Sequence, residues 1–335
     1  MNLTGADDIL VVNNATVALE ILLKGTRKSL NGESTRKYVL TPSYTFAATT
    51  TSILAAGFLP IYVDVDLDDW HASAEQVELL ATKYSDSLVC FLLCHTFGTT
   101  PARSKIDKWK KSADKIGVPL FIDSAAGFGS NFNLEQNEIQ VADATVFSMH
   151  ATKPFAVGEG GIIAGSAQIV GMSKQIANFD FDIDKSFTEF GTNGKISEIM
   201  CATALAVLEN FTESLSKRRG VANKLKESFH DLDYMIFQKG CENSTWQSLY
   251  LQVKDSENLK KITDNLTNQN IEFRRDWGKP THHYIQSNFE TNLQNTETLS
   301  KSCLTLPLWE EMEDEQIYRI VRAVRLNYTS YRKTD

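Results

Sequence analysis

The first 165 residues alternate short apolar runs with stretches of helical periodicity. Most of the runs are hydrophobic at every position, which is typical of strands covered by helices on both faces. The runs that predict strands are Ile9–Val12, Tyr38–Leu40, Ile61–Val65, Leu88–Cys94, Leu120–Ile122 and Thr145–Phe147. The helical stretches between them are Val17–Lys24, Ala47–Ala56, Ala74–Ala81 and Lys105–Ile116. This alternation predicts an α/β, doubly wound domain with a mainly parallel sheet.

The pattern changes after Ile196, where apolar positions follow one long helical period as far as Leu232. A helix of this length often leaves one domain and enters the next. Beyond it the sequence predicts strands at Ser248–Val253 and Ile271–Arg274, and helices at Glu257–Asn268 and Asp314–Leu326. This order indicates a smaller α+β domain. We therefore expect a large domain over residues 1–205 and a small domain over residues 206–335.

The chain has 335 residues, more than one hydrophobic core usually serves. Its 34 Lys and Arg against 42 Asp and Glu give a net charge of −8, which argues against nucleic acid or an anionic membrane as the main partner. An anionic small molecule stays compatible, because helix N-termini hold phosphate without a net basic charge. Five scattered cysteines, no basic leader and no long apolar run predict a cytoplasmic protein with reduced thiols and no membrane span.

Polar residues follow several of the predicted strands, where open α/β sheets bind their ligands. Asn14 and Thr16 stand between the first strand and a helix, so the free backbone N–H groups there suit a phosphate. A plain helix cap is the alternative interpretation of this turn. Asp123 ends a strand before small residues, which admits a planar ligand whose ring nitrogen a carboxylate would keep protonated. Taken alone, Asp123 is equally compatible with a helix cap.

Lys153 lies in an apolar turn flanked by glycines, after the strand Thr145–Phe147. Burial there would lower the pKa of Lys153 and make its amine nucleophilic, whereas a surface lysine is the ordinary alternative. Ser148 precedes Lys153 by five residues and is placed to bind whatever the lysine engages. Phe46 follows another strand, where it would stack on a planar ring or fill the core.

His95 also ends a strand, as a ligand, a base or a hydrogen-bonded turn residue. We expect no metal site, since no second His or Cys stands at metal-ligand spacing. An acid, a lysine, a serine and an aromatic residue after different strands together fit pyridoxal 5'-phosphate (PLP), which requires all of these groups. The combination is more specific than any one member.

Ten motifs follow one another in a fixed order along the chain. They are Asn14-Ala15-Thr16-Val17-Ala18-Leu19, Pro42-x3-Phe46-x-Ala48-Thr49, Val63-Asp64-Val65-Asp66, His95-x2-Gly98, Asp123-x-Ala125, Ser148-x-His150-Ala151-Thr152-Lys153, Gly158-Glu159-Gly160-Gly161, Asn193-x-Lys195-x-Ser197-Glu198, Pro280-x-His282 and Leu304-Thr305-Leu306-Pro307. In this order the chain resembles the DegT/DnrJ/StrS-type sugar aminotransferases, PLP enzymes of fold type I. The resemblance implies a mainly parallel seven-stranded sheet sandwiched by helices, plus a smaller C-terminal α+β domain.

The resemblance implies roles for the residues around the cofactor ring. Lys153 would form the internal aldimine and later carry a proton between the substrate carbon and the cofactor. Asp123 would bind the pyridine nitrogen, and Phe46 would stack on the ring. His95 and His282 match motif positions to which we attach no role.

The resemblance also implies a phosphate site and a partner subunit. Ser148 would hold the phosphate together with the backbone and hydroxyl at Ala15 and Thr16. Asn193 would complete the phosphate site of a neighbouring subunit, so a homodimer is expected. The expected reaction moves an amino group from L-glutamate to a nucleotide-linked keto-deoxysugar, with the carbonyl at C-3 or C-4, in amino-sugar and O-antigen or glycan biosynthesis.

Two features depart from the family pattern. Ala126 stands three residues after the acid, where the family usually has Gln or His against the ring hydroxyl. Only thirteen residues precede Asn14, where family members normally have some tens. These departures leave a non-catalytic, PLP-binding regulatory protein as an alternative. The other alternative is a PLP-dependent sugar dehydratase, which is disfavoured because dehydratases have a His at the position of Lys153.

Basic and aromatic residues cluster near the Pro280-x-His282 motif. They are Arg274, Arg275, Trp277 and His283. Two interpretations are open: the cluster lines a sugar-nucleotide cleft, or it forms a solvated face of the small domain.

Overall fold

The computed structural model describes residues 5–30, 35–130 and 141–325. In its first part, strands and helices alternate as the hydrophobic pattern predicts. The strands are β1 (Asp8–Val12), β2 (Tyr38–Pro42), β3 (Leu59–Val63), β4 (Leu88–Cys94), β5 (Leu120–Asp123), β6 (Ala144–Ser148) and β7 (Gly161–Gly165). The helices are α1 (Ala15–Ser29), α2 (Ala47–Ala55), α3 (Ala74–Lys83), α4 (Arg103–Lys115) and α5 (Ala167–Ile176).

These seven strands form one sheet in the order β1-β7-β6-β5-β4-β2-β3. Strands β2 to β6 pair with one another in parallel. Strand β7 is antiparallel to both β1 and β6. The predicted mainly parallel, seven-stranded sheet is therefore confirmed. Because β4, β5 and β6 run in the same direction, their carboxyl ends meet at one edge of the sheet.

Helices cover both faces of this large sheet. On one face, Leu22 of α1 and Val170 of α5 pack with Phe121 of β5. On the other face, Trp109 of α4 packs with Ile122, the next residue of the same strand. Successive side chains of a strand point to opposite faces, so both faces of β5 are covered. This explains why the strands are hydrophobic at every position.

A 30-residue helix, α6 (Glu198–Glu227), leads into the C-terminal part of the chain. Phe211 of α6 packs against the residues that follow β6, and Leu225 packs in a second core. The elements that follow α6 are β8 (Met235–Ile236), β9 (Leu249–Val253), α7 (Ser256–Asn268), α8 (Gln294–Ser302), β10 (Cys303–Leu306) and α9 (Asp314–Val324). The second core surrounds a small antiparallel sheet with the order β10-β9-β8. The predicted domain boundary after residue 205 falls inside α6 and stays a prediction.

One predicted strand of the C-terminal part is wrong. In the segment Ile271–Arg274, Arg274 makes an isolated bridge to Thr305, and the residues before it join no ladder. Ile271 and Phe273 are apolar because they pack against the C-terminal core, which imitates the alternation of a strand. The strand beside β9 is β10 instead.

Helix length and composition also bear on membrane insertion. None of the helices in the described ranges combines the length and the apolar character that a membrane crossing requires.

Candidate active site

A cavity of about 630 Å³ lies at the carboxyl ends of β4, β5 and β6, between the large sheet and the C-terminal part. Its volume is in the range of cofactor and ligand sites. Six of the seven residues that the sequence assigns to a cofactor line this cavity: Ala15, Thr16, Phe46, Asp123, Ser148 and Lys153. The seventh, Asn193, is exposed and is not among the lining residues.

One end of the cavity is formed by the start of α1. The side chain of Asn14 accepts the N–H of Val17 at 2.9 Å, and the carbonyl of Asn14 accepts the N–H of Ala18 at 3.0 Å. The first N–H groups of a helix have no acceptor inside the helix. Those of Ala15 and Thr16 are therefore available to an anion in the cavity, which the helix dipole also favours.

Ser148 lies at the end of β6 and is buried beside the same end of the cavity. Its Oγ accepts the N–H of His150 at 3.2 Å, so its own O–H is available to a ligand. Together with the start of α1, this hydroxyl makes the end of the cavity suitable for a phosphate.

Asp123 is the last residue of β5 and is only 7% exposed. Its Oδ2 accepts the Thr49 hydroxyl at 2.7 Å, and its Oδ1 accepts the Ala125 N–H at 3.2 Å. Burial raises the pKa of Asp123, although these two hydrogen bonds and the charge of Lys153 act in the opposite direction. A cationic group in the cavity would relieve the cost of this buried carboxylate.

Lys153 is presented by a turn between β6 and β7. The turn is closed by backbone bonds from Lys153 N–H to the His150 carbonyl at 2.8 Å and from Ala151 N–H to the Gly158 carbonyl at 2.9 Å. Gly158 has φ +110°, a conformation that favours glycine. Burial lowers the pKa of the Lys153 amine and outweighs the opposing charge of Asp123. The amine is therefore more often neutral near pH 7 than a surface lysine.

A turn before β9 closes the cavity from the C-terminal part. Gln247 in this turn accepts a hydrogen bond from Lys153 Nζ at 3.1 Å. Thr245 donates its hydroxyl to the Ala126 carbonyl at 2.5 Å and its N–H to the Gly98 carbonyl at 3.3 Å. These bonds fasten the turn to the segments that follow β5 and β4, so the position of Gln247 beside Lys153 is fixed.

Aromatic rings form the wall on the same side. Phe97 stacks between Tyr250, with ring centroids 3.8 Å apart, and Trp277, at 4.1 Å. Phe97 follows β4, whereas the other two rings belong to the C-terminal part. The stack therefore joins the two parts of the chain beside the cavity, which all three rings line.

The cluster near the Pro280-x-His282 motif divides between two locations. Arg274 and Trp277 line the cavity, and Arg274 Nη2 donates to Ser248 Oγ at 3.1 Å. Arg275 instead donates to backbone carbonyls of the C-terminal part, including that of Cys303 at 2.6 Å. His283 lies outside the cavity lining and contacts a glutamate of α8.

His95 lines the cavity and is buried, with its Nδ1 3.0 Å from Ser124 Oγ. Burial lowers its pKa well below the ordinary value, so the ring is neutral. Sequence reasoning gives no role to three other residues of the site, namely Thr49, Gln247 and Asp276. Thr49 belongs to a quoted motif, but the polar positions of Gln247 and Asp276 carry no signal that separates them from surface residues.

The sequence model of the DegT/DnrJ/EryC1/StrS aminotransferase family matches residues 1–325. The chain belongs to this family. It is therefore an aminotransferase, and its cofactor is PLP. The fit is visible in the cavity, where a phosphate site, a buried acid and a lysine of lowered pKa occur together.

Individual relatives are similar to this chain over most of its length. The protein MT3510 of Mycobacterium tuberculosis is 28% identical over 319 residues, which are 93% of this chain and 76% of that protein. The dTDP-4-amino-4,6-dideoxy-D-glucose transaminase of Shigella dysenteriae is 25% identical over 333 residues, 96% of this chain and 86% of the transaminase. A solved Bacillus cereus structure, assigned as a PLP-dependent aminotransferase, has 27% identity and a TM-score of 0.84 over 95% of this chain and 86% of its own. The fold is PLP fold type I.

Proposed function

We propose that this enzyme transfers an amino group from L-glutamate to a nucleotide-linked keto-deoxysugar whose carbonyl is at C-3 or C-4. The observation that carries the proposal is one shared cavity in which Lys153 and Asp123 interact electrostatically beside the start of α1. The substrate class is supported by the family and by its sugar-transaminase relative.

PLP supplies a carbonyl carbon that amines attack and a ring that accepts electrons from the substrate. The N–H groups of Ala15 and Thr16 and the hydroxyl of Ser148 hold its phosphate. Phe46 covers the ring. The Phe46 side chain is 62% exposed at the cavity, so stacking on a planar ring would remove apolar surface from water.

Lys153 would hold the cofactor through its amine and would move the proton at the substrate carbon when that amine is free. The lowered pKa of Lys153 suits both tasks, because attack and proton abstraction require the neutral amine. Gln247 Oε1 holds the Nζ on the cavity side of its turn. Asp123 keeps the ring nitrogen protonated, while Thr49 and Ala125 fix the orientation of its carboxylate.

Arg274 and Asp276 extend the site from Lys153 toward the C-terminal part. Arg274 is the lining cation of this wall, and its guanidinium suits the carboxylate of an amino acid or a phosphate of a nucleotide sugar. Asp276 Oδ2 lies 3.9 Å from Arg274 Nε, and the carboxylate is suited to accept a hydrogen bond from a sugar hydroxyl. This pair gives the wall the groups that an anionic, hydroxylated substrate needs.

The enzyme acts as a homodimer in which Asn193 of the partner subunit completes the phosphate site. Exposed apolar side chains within about twelve residues of Asn193 along the chain support the dimer: Ile183 is 101% exposed, Phe187 75%, Ile199 74% and Leu205 67%. Large apolar side chains that remain exposed to water are candidates for a subunit interface.

Absorbance and mass spectrometry together test the reaction. The visible band of the PLP-loaded enzyme should disappear on addition of L-glutamate, and keto nucleotide sugars should then gain nitrogen and restore the band. Lys153→Ala should lack both responses. A band that glutamate leaves unchanged would support the regulatory alternative, and a product that loses a hydroxyl without gaining nitrogen would support the dehydratase.

Mixing two inactive variants tests the dimer. Asn193→Ala and Lys153→Ala should each be impaired, because each lacks one part of every site. Random exchange makes about half of the dimers hybrid, and each hybrid has one intact site of two, so about a quarter of wild-type activity should return. No recovery after verified subunit exchange would contradict the shared site.

A further inference from the structure

His282, His283 and Glu297 converge outside the cavity, between the turn Thr281–His283 and helix α8. The Nε2 of His282 lies 3.1 Å from Glu297 Oε1, and the Nε2 of His283 lies 2.5 Å from the same oxygen. One potential ligand atom from each side chain falls within 4.8 Å of the others. Two imidazoles therefore share a single carboxylate oxygen.

The position of His282 is fixed by the end of β2. Ser43 Oγ accepts the backbone N–H of His282 at 3.1 Å and lies 2.6 Å from its ring Nδ1. The tautomer that donates Nδ1–H to Ser43 leaves the lone pair of Nε2 directed at a carboxylate oxygen. His282 Nε2 and Glu297 Oε1 are then two acceptors 3.1 Å apart, and they need a cation or a second proton between them.

The position of Glu297 is fixed by the end of β3. Asp64 accepts the N–H of Asn295 at 2.9 Å and that of Thr296 at 2.7 Å, so its carboxylate caps the start of α8. Glu297 is the next residue of α8 after Thr296, so the bond to Asp64 fixes the backbone that carries it. Both sides of the cluster are therefore held by the same edge of the large sheet, which limits how far the three side chains move apart.

The donor set is two imidazole nitrogens and one carboxylate oxygen. This combination suits Zn²⁺, and Co²⁺ in its place, better than Mg²⁺ or Ca²⁺, which prefer oxygen ligands. Ligating histidines usually hydrogen-bond through their other ring nitrogen, as His282 does with Ser43. Lys301 competes for the carboxylate, with its Nζ 3.2 Å from Glu297 Oε2, but it is 74% exposed and leaves Oε1 to the imidazoles.

We propose that His282, His283 and Glu297 form a site for a divalent transition-metal ion, with Zn²⁺ as the preferred ion and a fourth position open to water. The ion fastens the turn at His282 and helix α8 to the edge of the large sheet near Ser43. The proposal departs from the expectation of no metal site, because the adjacent histidines and a glutamate 14 residues later form no recognised spacing. It does not rest on the proposed reaction.

Titration of the tag-free, PLP-loaded protein with Co²⁺ tests the site. We expect one Co²⁺ per chain, with the visible absorption of a four-coordinate ion, and its displacement by Zn²⁺. His283→Ala and Glu297→Gln should weaken binding at least about tenfold, and Ser43→Ala about 10–100-fold. Lys301→Gln should strengthen binding, because it removes the competing cation. His230→Ala is the matched control, since it removes an exposed histidine elsewhere on the surface.

The cofactor band serves as a separate readout, because none of the three ligands lines the cavity. It should stay unchanged during the titration and in the His283→Ala and Glu297→Gln variants. The site would be overturned by the absence of a saturable Co²⁺ spectrum, or by equal Co²⁺ affinity in wild type and in both folded variants. In that case the contacts with Glu297 are hydrogen bonds alone.

Discussion

Gly161→Ala tests how closely β7 approaches the start of α1. Gly161 pairs with Val12 on one side and with Ser148 on the other. An added methyl group would lie 2.5 Å from the carbonyl carbon of Asn14 and 2.7 Å from the backbone nitrogen of Ala15. Non-bonded carbon atoms are ordinarily at least about 3.5 Å apart, so the backbone at Asn14 and Ala15 must move by about 1 Å to remove the clash.

The expected losses of stability and of PLP affinity follow from which atoms must move. Overpacking costs about 1–3 kcal/mol, and here both obstructing atoms belong to the backbone, so the upper half of this range is expected. The same shift moves the N–H groups of Ala15 and Thr16 away from the phosphate. Loss of one charge-assisted hydrogen bond at about 1.5–3 kcal/mol corresponds to a Kd for PLP raised about 10–150-fold. Titration of the apoprotein with PLP and urea unfolding measure the two effects.

Gly171→Ala in α5 is the matched control. Its added methyl group meets no atom within 4 Å, and alanine in a helix is up to about 1 kcal/mol more favourable than glycine. This control should keep the wild-type Kd for PLP and unfold at slightly higher urea concentration. If Gly161→Ala lowered the urea midpoint yet bound PLP as tightly as wild type, the start of α1 would not be the phosphate site.

Three further substitutions separate the roles of cavity residues. Asp123→Asn should weaken PLP binding yet stabilise the apoprotein at neutral pH. Burial raises the pKa of Asp123 in the folded protein above its value in the unfolded chain. The stability that the protonated Asp123 carboxyl contributes is therefore lost as the pH rises through the folded-state pKa. Urea midpoints of the two apoproteins should therefore converge in acid. Arg274→Ala should raise the KM of a substrate without changing Tm, whereas Arg275→Ala should lower Tm by a few degrees and leave KM, because it breaks bonds to backbone carbonyls. Gln247→Leu removes the acceptor of the charged amine, so the pH midpoint for PLP capture by the apoprotein should fall.

Each of these predictions has a contrary result. Equal stability of the Asp123→Asn and wild-type apoproteins at neutral pH would contradict the cost assigned to the buried carboxylate. A changed KM in Arg275→Ala, with Arg274→Ala unaffected, would reverse the division of the arginines. An unmoved pH midpoint in Gln247→Leu would show that Gln247 does not influence the lysine.

Much of the large sheet follows from the hydrophobic pattern, because strands buried on both faces leave continuous apolar runs. Strand β7 escapes that reasoning, since glycines stand at both of its ends, Gly161 and Gly165, and resemble turn residues. Lys153 and Asp123 are predictable as candidates because the carboxyl ends of parallel strands meet at one edge. Their roles stay predictions, as does that of Asn193.

The site residues that the C-terminal part contributes cannot be predicted from the sequence, for a different reason. Gln247 is an ordinary polar residue, and it belongs to the site only because it contacts Lys153, a residue 94 positions earlier in the chain. Local periodicity holds no information on such pairs. The division between Arg274 and Arg275 is likewise set by tertiary contacts, since the two are chemically identical neighbours.

The contact between Gln247 and Lys153 also bears on when the enzyme acquires its cofactor. At about 5–20 residues per second, a ribosome adds the 94 intervening positions in roughly 5–20 s. The parallel strands and the lysine are thus synthesised before the turn that encloses the amine. The part of the cofactor site that Gln247 supplies is therefore completed last, after the residues of the large sheet that face the cofactor.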